Sequence, residues 1–557
     1  MVTIYASAVT AKTFQSYKHD YAINVQQWEQ FLKKYQLPYR VIRSAQALES
    51  LQGGTVLLPS AVALSTQERN AIQAFRARGG DILASWMTGV RDEKGDWAGF
   101  DFMQRALDVQ VLGDTRADEE DTFLIVDGGS PISHHLPAGM RLWLERAQGW
   151  YPLRMRGLAD AGAMLNWSRA VSPEKTAATI AFGERGDLAG SRAVVLGFPE
   201  RLWLSADPRL MESLVHNALL WALHQPDVYA SEWPHPYSSA TVLAIEGVDN
   251  FGAIDAEFSK RIQDHGFRGT YLISAAELSK SLKVLKEIAQ RGHEFAYFGD
   301  SFAGFRGQAL DLQRKRLESM RTAIQASSLP VARDAGFRAP MDAYDKTTQQ
   351  ILREAGFGYH IAFMDSTDAC LPVLPGAETG SKMVVLPRVL PGPEEAAESD
   401  PEEGISTYAE ALKLFQRMGC LAVVTIPNQS LLTPEQQDEI FSVWDAPEAR
   451  TWKASAAGVA QWWRERERIK ASLQISQQRP YLHVTVTGDT PLAVSPAVWV
   501  NVPEQGGGIQ LLEEDGSPAK VTIADVDRWR KAVLLKGLPP GKHQWRIRFI
   551  NPSTSAQ

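Results

Sequence analysis

Along most of the chain, short apolar runs alternate with stretches whose apolar residues recur every three to four positions. "TVLLPSAVAL" (55–64) reads as a buried strand running into a turn. "STQERNAIQAFRARGG" (65–80) opens on Ser65 with Glu68 three residues on, a capping box, and closes on Gly79 and Gly80, a helix stop. "DILASWM" (81–87) is the next strand. Strand, helix and strand joined by short connections predict a parallel α/β sheet over residues 1–226, closed by "RAVVLGFPERLWL" and the helix "LMESLVHNALLWALHQ". Residues 227–240, within "QPDVYASEWPHPYSSA", break the period with proline and serine and read as a linker. Strands and helices alternate again over 241–470. From 471 to 557 the style changes to "YLHVTVTG", "AVWVNVP", "GIQLLEEDG", "KAVLLKG" and "HQWRIRFI". Glycine- and proline-rich turns separate these strands, which is the pattern of a small β-sandwich.

Composition narrows the function. A chain of 557 residues has room for several domains, and 44% hydrophobic with 22% charged residues is ordinary for a globular protein. A net charge of −7 argues against nucleic acid as a partner. No run approaches the ~20 apolar residues of a membrane span. The sixteen tryptophans suit either sugar-stacking surfaces or core packing, the commoner use. Cys370 and Cys420 form no CxxC pair, and one disulfide or two buried thiols both remain open. The start, "MVTIYASAV", enters a strand-like run without a basic region ahead of it, which fits a cytosolic protein or a mature exported chain. The acidic stretch "PGPEEAAESDPEEG" (391–404) reads as a solvated surface loop.

The "LLPSAVALSTQERNAIQAFRARGGDILAS" and "GFP…NALLWAL" blocks of the first region resemble glutamine-amidotransferase-like, flavodoxin-like α/β domains. The resemblance implies a nucleophilic cysteine at the turn after a strand of this kind. Here that stretch is "ASWMTGV", and the whole region has no cysteine, so thiol chemistry is excluded and a structural or binding domain is expected.

Five landmarks follow in order over 241–430: "TVLAIEGVDNFG", "HGFRGTYLIS", "RGHEFAYFGDSFAGFRGQ", "GFRAPMDAYDKTTQQILREAGFGYH" and "GCLAVVTIPNQSLL". This order resembles the polysaccharide deacetylases of the NodB-homology type, carbohydrate esterase family 4, built on a distorted (β/α) barrel. The combination with its flanking regions is similar to the deacetylase half of Pel-type exopolysaccharide-modifying proteins. The resemblance implies a general base and a ligand aspartate after the first strand, two metal-binding histidines four apart, an Arg-x-Pro turn that orients the base, and a late histidine as general acid. A divalent ion would polarise the acetamide carbonyl and acidify its bound water, the carboxylate would take the proton, and the histidine would protonate the leaving amine.

Carried over residue by residue, Glu246 stands at the base position, Asp249 can serve as ligand only if the turn is one residue longer, and the Arg turn is Arg338-Ala339-Pro340. The two histidine positions hold Phe298 and Phe302, and the late histidine falls near Pro427 and Asn428. Phenylalanine has no lone pair for a metal. Even with Asp300 added, one or two carboxylates give a weak oxygen site better suited to magnesium or calcium than to zinc. The two rings are either core filler or an aromatic floor for a sugar, alongside Tyr297 and Tyr344, with Asp300 and Asp342 as polar neighbours. His293 and His360 read as packed residues, His134–His135 as a surface pair, and Asp365 and Asp368 as acidic residues with no late histidine to act on. The expectation is a pseudoenzyme without metal or cofactor that binds or scaffolds an exopolysaccharide or its assembly proteins. The resemblance places it in the periplasm or outside the cell. The alternative is an altered carbohydrate deacetylase or hydrolase using Glu246, Asp249, Asp300 and Arg338.

Overall fold

A computed structural model describes residues 1–115, 123–144, 149–164, 177–188, 190–204, 208–363, 370–376, 380–446 and 449–552. The first sheet contains five parallel strands in the spatial order Tyr39–Ile42, Val2–Tyr5, Thr55–Leu58, Asp81–Ser85 and Ser191–Leu196. Numbered along the chain this is the flavodoxin-like order 2-1-3-4-5. Four of the five are buried on both faces, as a parallel strand covered by helices must be. The helix Thr66–Ala77 begins as its capping box dictates, with the Ser65 hydroxyl accepting from the Glu68 N–H and the Glu68 carboxylate accepting from the Ser65 N–H. Antiparallel strands, beginning with Ala177–Arg185 against Ser191–Leu196, widen the sheet beyond the parallel part.

The middle body is a parallel sheet curled towards closure. Its strands run in the order Val384–Arg388, Tyr359–Phe363, Phe337–Arg338, Glu294–Gly299, Thr270–Ser274, Ser239–Glu246 and Leu421–Pro427, each paired in parallel with the next. The two end strands pack side by side without a ladder between them. A disulfide between Cys370 and Cys420 lies at this seam, tying the approach to Val384–Arg388 to the start of Leu421–Pro427, and the Leu421 N–H donates to the Cys370 carbonyl. The two thiols are therefore not free.

Two four-stranded antiparallel sheets end the chain, and Leu482, Val484, Val498, Val500, Val533 and Trp545 fill the space between them. One strand of this sandwich, Val228–Ala230, comes from the segment read as a linker and pairs with Val498–Val500. Three residues are too few to register as a strand by alternation, and the neighbouring prolines mask them. The acidic stretch is also not a solvated loop. Pro393–Ser399 is a helix with Pro at its start and Glu395 accepting from the Gly392 N–H, and a second helix starts at Gly404. Acidic residues in a first turn favour a helix by opposing its dipole, which outweighs their mutual repulsion here.

Candidate functional site

The landmark residues converge where the parallel strands of the middle body end. Glu246 closes Ser239–Glu246, and Arg338 closes Phe337–Arg338, with two strands between them. The Arg338 guanidinium forms an ion pair with Glu246 and another with Asp342, at 3.2 Å. Asp342 is shared. Its Oδ2 also takes Arg388 Nη2 at 2.8 Å, and Arg388 Nη1 reaches Glu395 at 3.3 Å. The result is a chain of alternating charge, Glu246–Arg338–Asp342–Arg388–Glu395, whose two guanidiniums are buried. Burial pulls the Arg338 group down to about 10, against the opposing attraction of Asp342. Burial alone would raise Asp342, but the two guanidiniums hold it below the ordinary carboxylate range.

The turn that carries Asp342 is unusual. Met341 and Asp342 both have left-handed backbone, with φ +56° and +51°. Non-glycine residues there cost on the order of 1–3 kcal/mol each and persist only where their surroundings fix them, as the two arginines fix Asp342. Asp342 Oδ1 is buried and has no hydrogen-bond partner among the described residues.

Phe298 and Phe302 meet, but not on a helix. Phe298 is the last side chain of the strand Glu294–Gly299, Gly299 turns the backbone, and Phe302 follows in a loop. The ring centroids are 5.9 Å apart and tilted by 48°. Phe298 is 0% exposed and lies 6.0 Å from the Arg338 guanidinium, whereas Phe302 is 45% exposed. One ring is sealed in the core, and the other reaches the surface.

Other expected members are occupied elsewhere. Tyr297 points to the opposite side of its strand, where its hydroxyl donates to the Ala332 carbonyl and accepts from Gln325. Neighbours in a strand face opposite ways, so Tyr297 and Phe298 cannot both line the site. Asp300 is held by Arg316 through Nε and Nη2, the latter at 2.6 Å. The Asp249 side chain is exposed and accepts from the N–H and side chain of Asn250. Tyr344 donates to the Phe363 carbonyl and sets its ring edge-on to His360 at 4.7 Å. Asp365 and Asp368 lie outside the described residues.

The divalent ion that the resemblance implies does not fit this donor set. Two of its ligand positions are hydrocarbon rings, Asp300 is bound to Arg316, Asp249 faces solvent and Glu246 is paired with Arg338. Near where the resemblance puts the late histidine, Asn428 acts as a clamp. Its Oδ1 accepts the N–H groups of Val248 and Asp249 at 2.9 and 3.0 Å, and its Nδ2 donates to the Asp249 carbonyl.

Three histidines have other surroundings. His293 accepts from the Gly269 N–H and contacts the Ser259 carbonyl, which satisfies both of its nitrogens. His360 is fully buried with neither nitrogen hydrogen-bonded among the described residues, and burial pushes it down to about 3. His134 is not at the surface. It is buried, bonded to the Pro131 carbonyl and to Asp227 at 2.7 Å, and stacked on Tyr229 at 4.5 Å. With His135 and Asp227 it is the one group of donors among the described residues close enough to share a metal ion, but the His134–Asp227 bond already satisfies the pair.

Sequence reasoning missed Arg388 and Glu395. An arginine at the C-terminal end of the run "KMVVLPR" was the available signal, because functional side chains of parallel barrels gather at strand C-termini.

Neither a protein-family model nor a curated protein matches the chain. Solved structures of the family 4 type resemble part of it. A polysaccharide deacetylase-type protein from Mycobacterium smegmatis is 18% identical, over 42% of this chain and 93% of its own, with a TM-score of 0.34. A family 4 pseudoenzyme from Bacillus anthracis is 13% identical over 41% of this chain and 66% of its own, TM-score 0.28. The family 4 carbohydrate esterase from Streptomyces lividans, solved with acetate, is 10% identical over 39% of this chain and 92% of its own, TM-score 0.28.

Proposed function

We propose that the middle body is a carbohydrate-binding relative of the polysaccharide deacetylases that lacks their hydrolytic centre. In this role it holds an exopolysaccharide, or organises proteins that assemble one. The observation that carries this reading is the pair of phenylalanines. The buried Phe298 takes the volume a metal would need, and the half-exposed Phe302 offers a face on which a pyranose ring can stack beside the Glu246–Arg338–Asp342 charges. Hydrolysis would need a carboxylate free to accept a proton and an acid to protonate the amine. The Arg338 pairing is compatible with Glu246 as a base, but Asn428 cannot act as an acid.

A periplasmic or extracellular location belongs to the same proposal. It is supported by the Cys370–Cys420 disulfide, a bond that persists mainly in oxidising compartments. None of the described helices is long and apolar enough to cross a membrane. Calorimetric titration with acetylated and deacetylated hexosamine oligomers tests the reading. Binding weakened by Phe302→Ala, with no product released on long incubation, supports it; turnover abolished by Glu246→Gln would establish the hydrolase instead.

A further inference from the structure

A second feature lies in the first region, outside the middle body. A cavity of about 660 Å³ opens beyond the C-terminal ends of Val2–Tyr5, Thr55–Leu58 and Asp81–Ser85. The strand order reverses between the first two of these, so the cavity sits at the crevice where open parallel sheets bind ligands. Its size is in the range of small-molecule sites, roughly 300–1,000 Å³.

The lining is aromatic. Trp86 and Trp150 stack with centroids 5.0 Å apart and planes 26° apart, which leaves no gap between them for a third ring. They therefore form one floor, which is largely buried at 7% and 8% exposure, with the Arg201 guanidinium 4.9 Å from the Trp150 ring. Trp86 occupies the turn after Asp81–Ser85 with φ +53°, a conformation in which a bulky residue is a true outlier. The Trp86 indole N–H is fixed to the Tyr151 carbonyl at 2.9 Å. At the rim, Tyr17 and Trp97 are each 55% exposed, and the Arg91 guanidinium lies 5.5 and 6.0 Å from their rings. Among the described residues, Arg91 Nη1 donates to the Gly95 carbonyl, while Nε and Nη2 keep their donors for a ligand. His19 adds a further polar group beside Trp150.

This chemistry selects among ligands. Phosphate at such a crevice is usually met by free N–H groups at a helix start. Here the helix Ala8–Ser16 is capped by the Ser7 hydroxyl, and Thr66–Ala77 by Ser65 and the Glu68 carboxylate, which repels an anion. A one-sided floor of flat rings with guanidinium donors at its edge matches the flat, hydroxyl-fringed face of a saccharide.

We propose that this cavity is an oligosaccharide site, with Trp86 and Trp150 as the floor and Tyr17, Trp97 and Arg91 as the rim. It does not depend on the reading of the middle body.

The test is isothermal titration of the full chain with tetramers of glucose, N-acetylglucosamine, glucosamine and galactosamine, repeated on Tyr17→Ala/Trp97→Ala and on Phe302→Ala. At least one tetramer is expected to bind a site whose Kd rises tenfold or more in the rim double variant and is unchanged in Phe302→Ala. Trp97→Ala alone, at a ring already more than half exposed, is the second variant should the double one lose its melting transition. A protein that binds none of the tetramers overturns the proposal, as does binding that survives both rim variants. Binding lost only in Phe302→Ala would place the sugar in the middle body and likewise overturn it.

Discussion

His360 offers the cleanest test of how the middle body is held together. Its ring is fully buried between Phe337 and Tyr344, and neither nitrogen has a partner among the described residues. Burial is the largest influence on it and holds its pKa at about 3, with Arg338 adding to the effect and Asp342 opposing it. The folded state therefore keeps the ring neutral, while the unfolded chain takes up a proton below an ordinary value of about 6.5. The sign follows directly. The unfolded state binds more protons between pH 6.5 and 3, so stability is highest above this window and falls as pH falls through it. At pH 5 the cost is about 2 kcal/mol, one and a half pH units at about 1.4 kcal/mol each. His360→Leu, close in volume, removes the titration and the two unpaired nitrogens together. The variant should be more stable than the parent at pH 8, and the advantage should grow by about 2 kcal/mol at pH 5. Because the chain has several cores, the readout is urea-dependent hydrogen exchange of peptides within 337–363, not one global midpoint. Deuteration of the histidine ring carbon gives its titration directly. A His360 that titrates near 6.5, or an advantage equal at the two pH values, would refute the reasoning.

Three further outcomes follow from the same geometry. Asp342→Asn leaves the buried Arg338 and Arg388 with one carboxylate each, Glu246 and Glu395, and should cost about 2 kcal/mol in urea denaturation, as losing hydrogen bonds between charged groups does. Because the folded Asp342 is held below the ordinary range, its stabilisation is present above about pH 4 and lost as pH falls below it, so the variant should lose that acid-dependent part; an unchanged acid profile contradicts the pairing. Cys370→Ser/Cys420→Ser opens a link across a separation of 50 residues and should cost about 4 kcal/mol, a loss that reductant reproduces in the parent but does not add to in the variant. Phe302 exposes 45% of a side chain of roughly 200 Å², so covering it with a sugar is worth about 2 kcal/mol at about 25 cal/mol per Å², and Phe302→Ala should raise Kd about thirtyfold. A change below threefold would mean that the ring is not in the binding face.

What could be read from the sequence was local. The capping box at Ser65 fixed one helix start because a short side chain satisfies its own backbone there, whatever the surroundings. Apolar runs located the parallel strands because both faces are covered. Orientation needed one more step. Once Phe298 faces the barrel interior, the period of two sends Tyr297 outward, so the sequence contained grounds for separating them. Phe298 and Phe302 meet because the strand stops and the chain turns at Gly299, not because a helix puts positions four apart on one face. Arg388 showed in the sequence only as a strand-end arginine, and its partner, like that of Arg316, was beyond reach for another reason. Asp342 is brought to Arg388, and Asp300 to Arg316, by tertiary folding that leaves no local periodic signal, whereas Glu395 with Gly392 is a local helix cap.

The charged residues at the strand ends also show why a catalytic-looking constellation is weak evidence of catalysis. Arg338 is nearly inaccessible, and so large a buried cation persists only if it is paired. Glu246 and Asp342 supply that pairing, and removing both carboxylates would leave the charge stranded at a cost of about 3–5 kcal/mol. The three residues are thus held in place by one another's stability requirements, with no reaction needed to explain them. Metal ligands have no such mutual hold. A histidine position whose ion is not needed can be filled by any side chain of suitable volume, and a buried ring recovers apolar burial there. On the proposed reading, a barrel with Glu246 and Arg338 paired while Phe298 and Phe302 stand where the resemblance puts metal ligands is what these unequal costs would produce. It places the evidence about chemistry on the ligand positions, not on the acidic and basic residues that a motif search finds first.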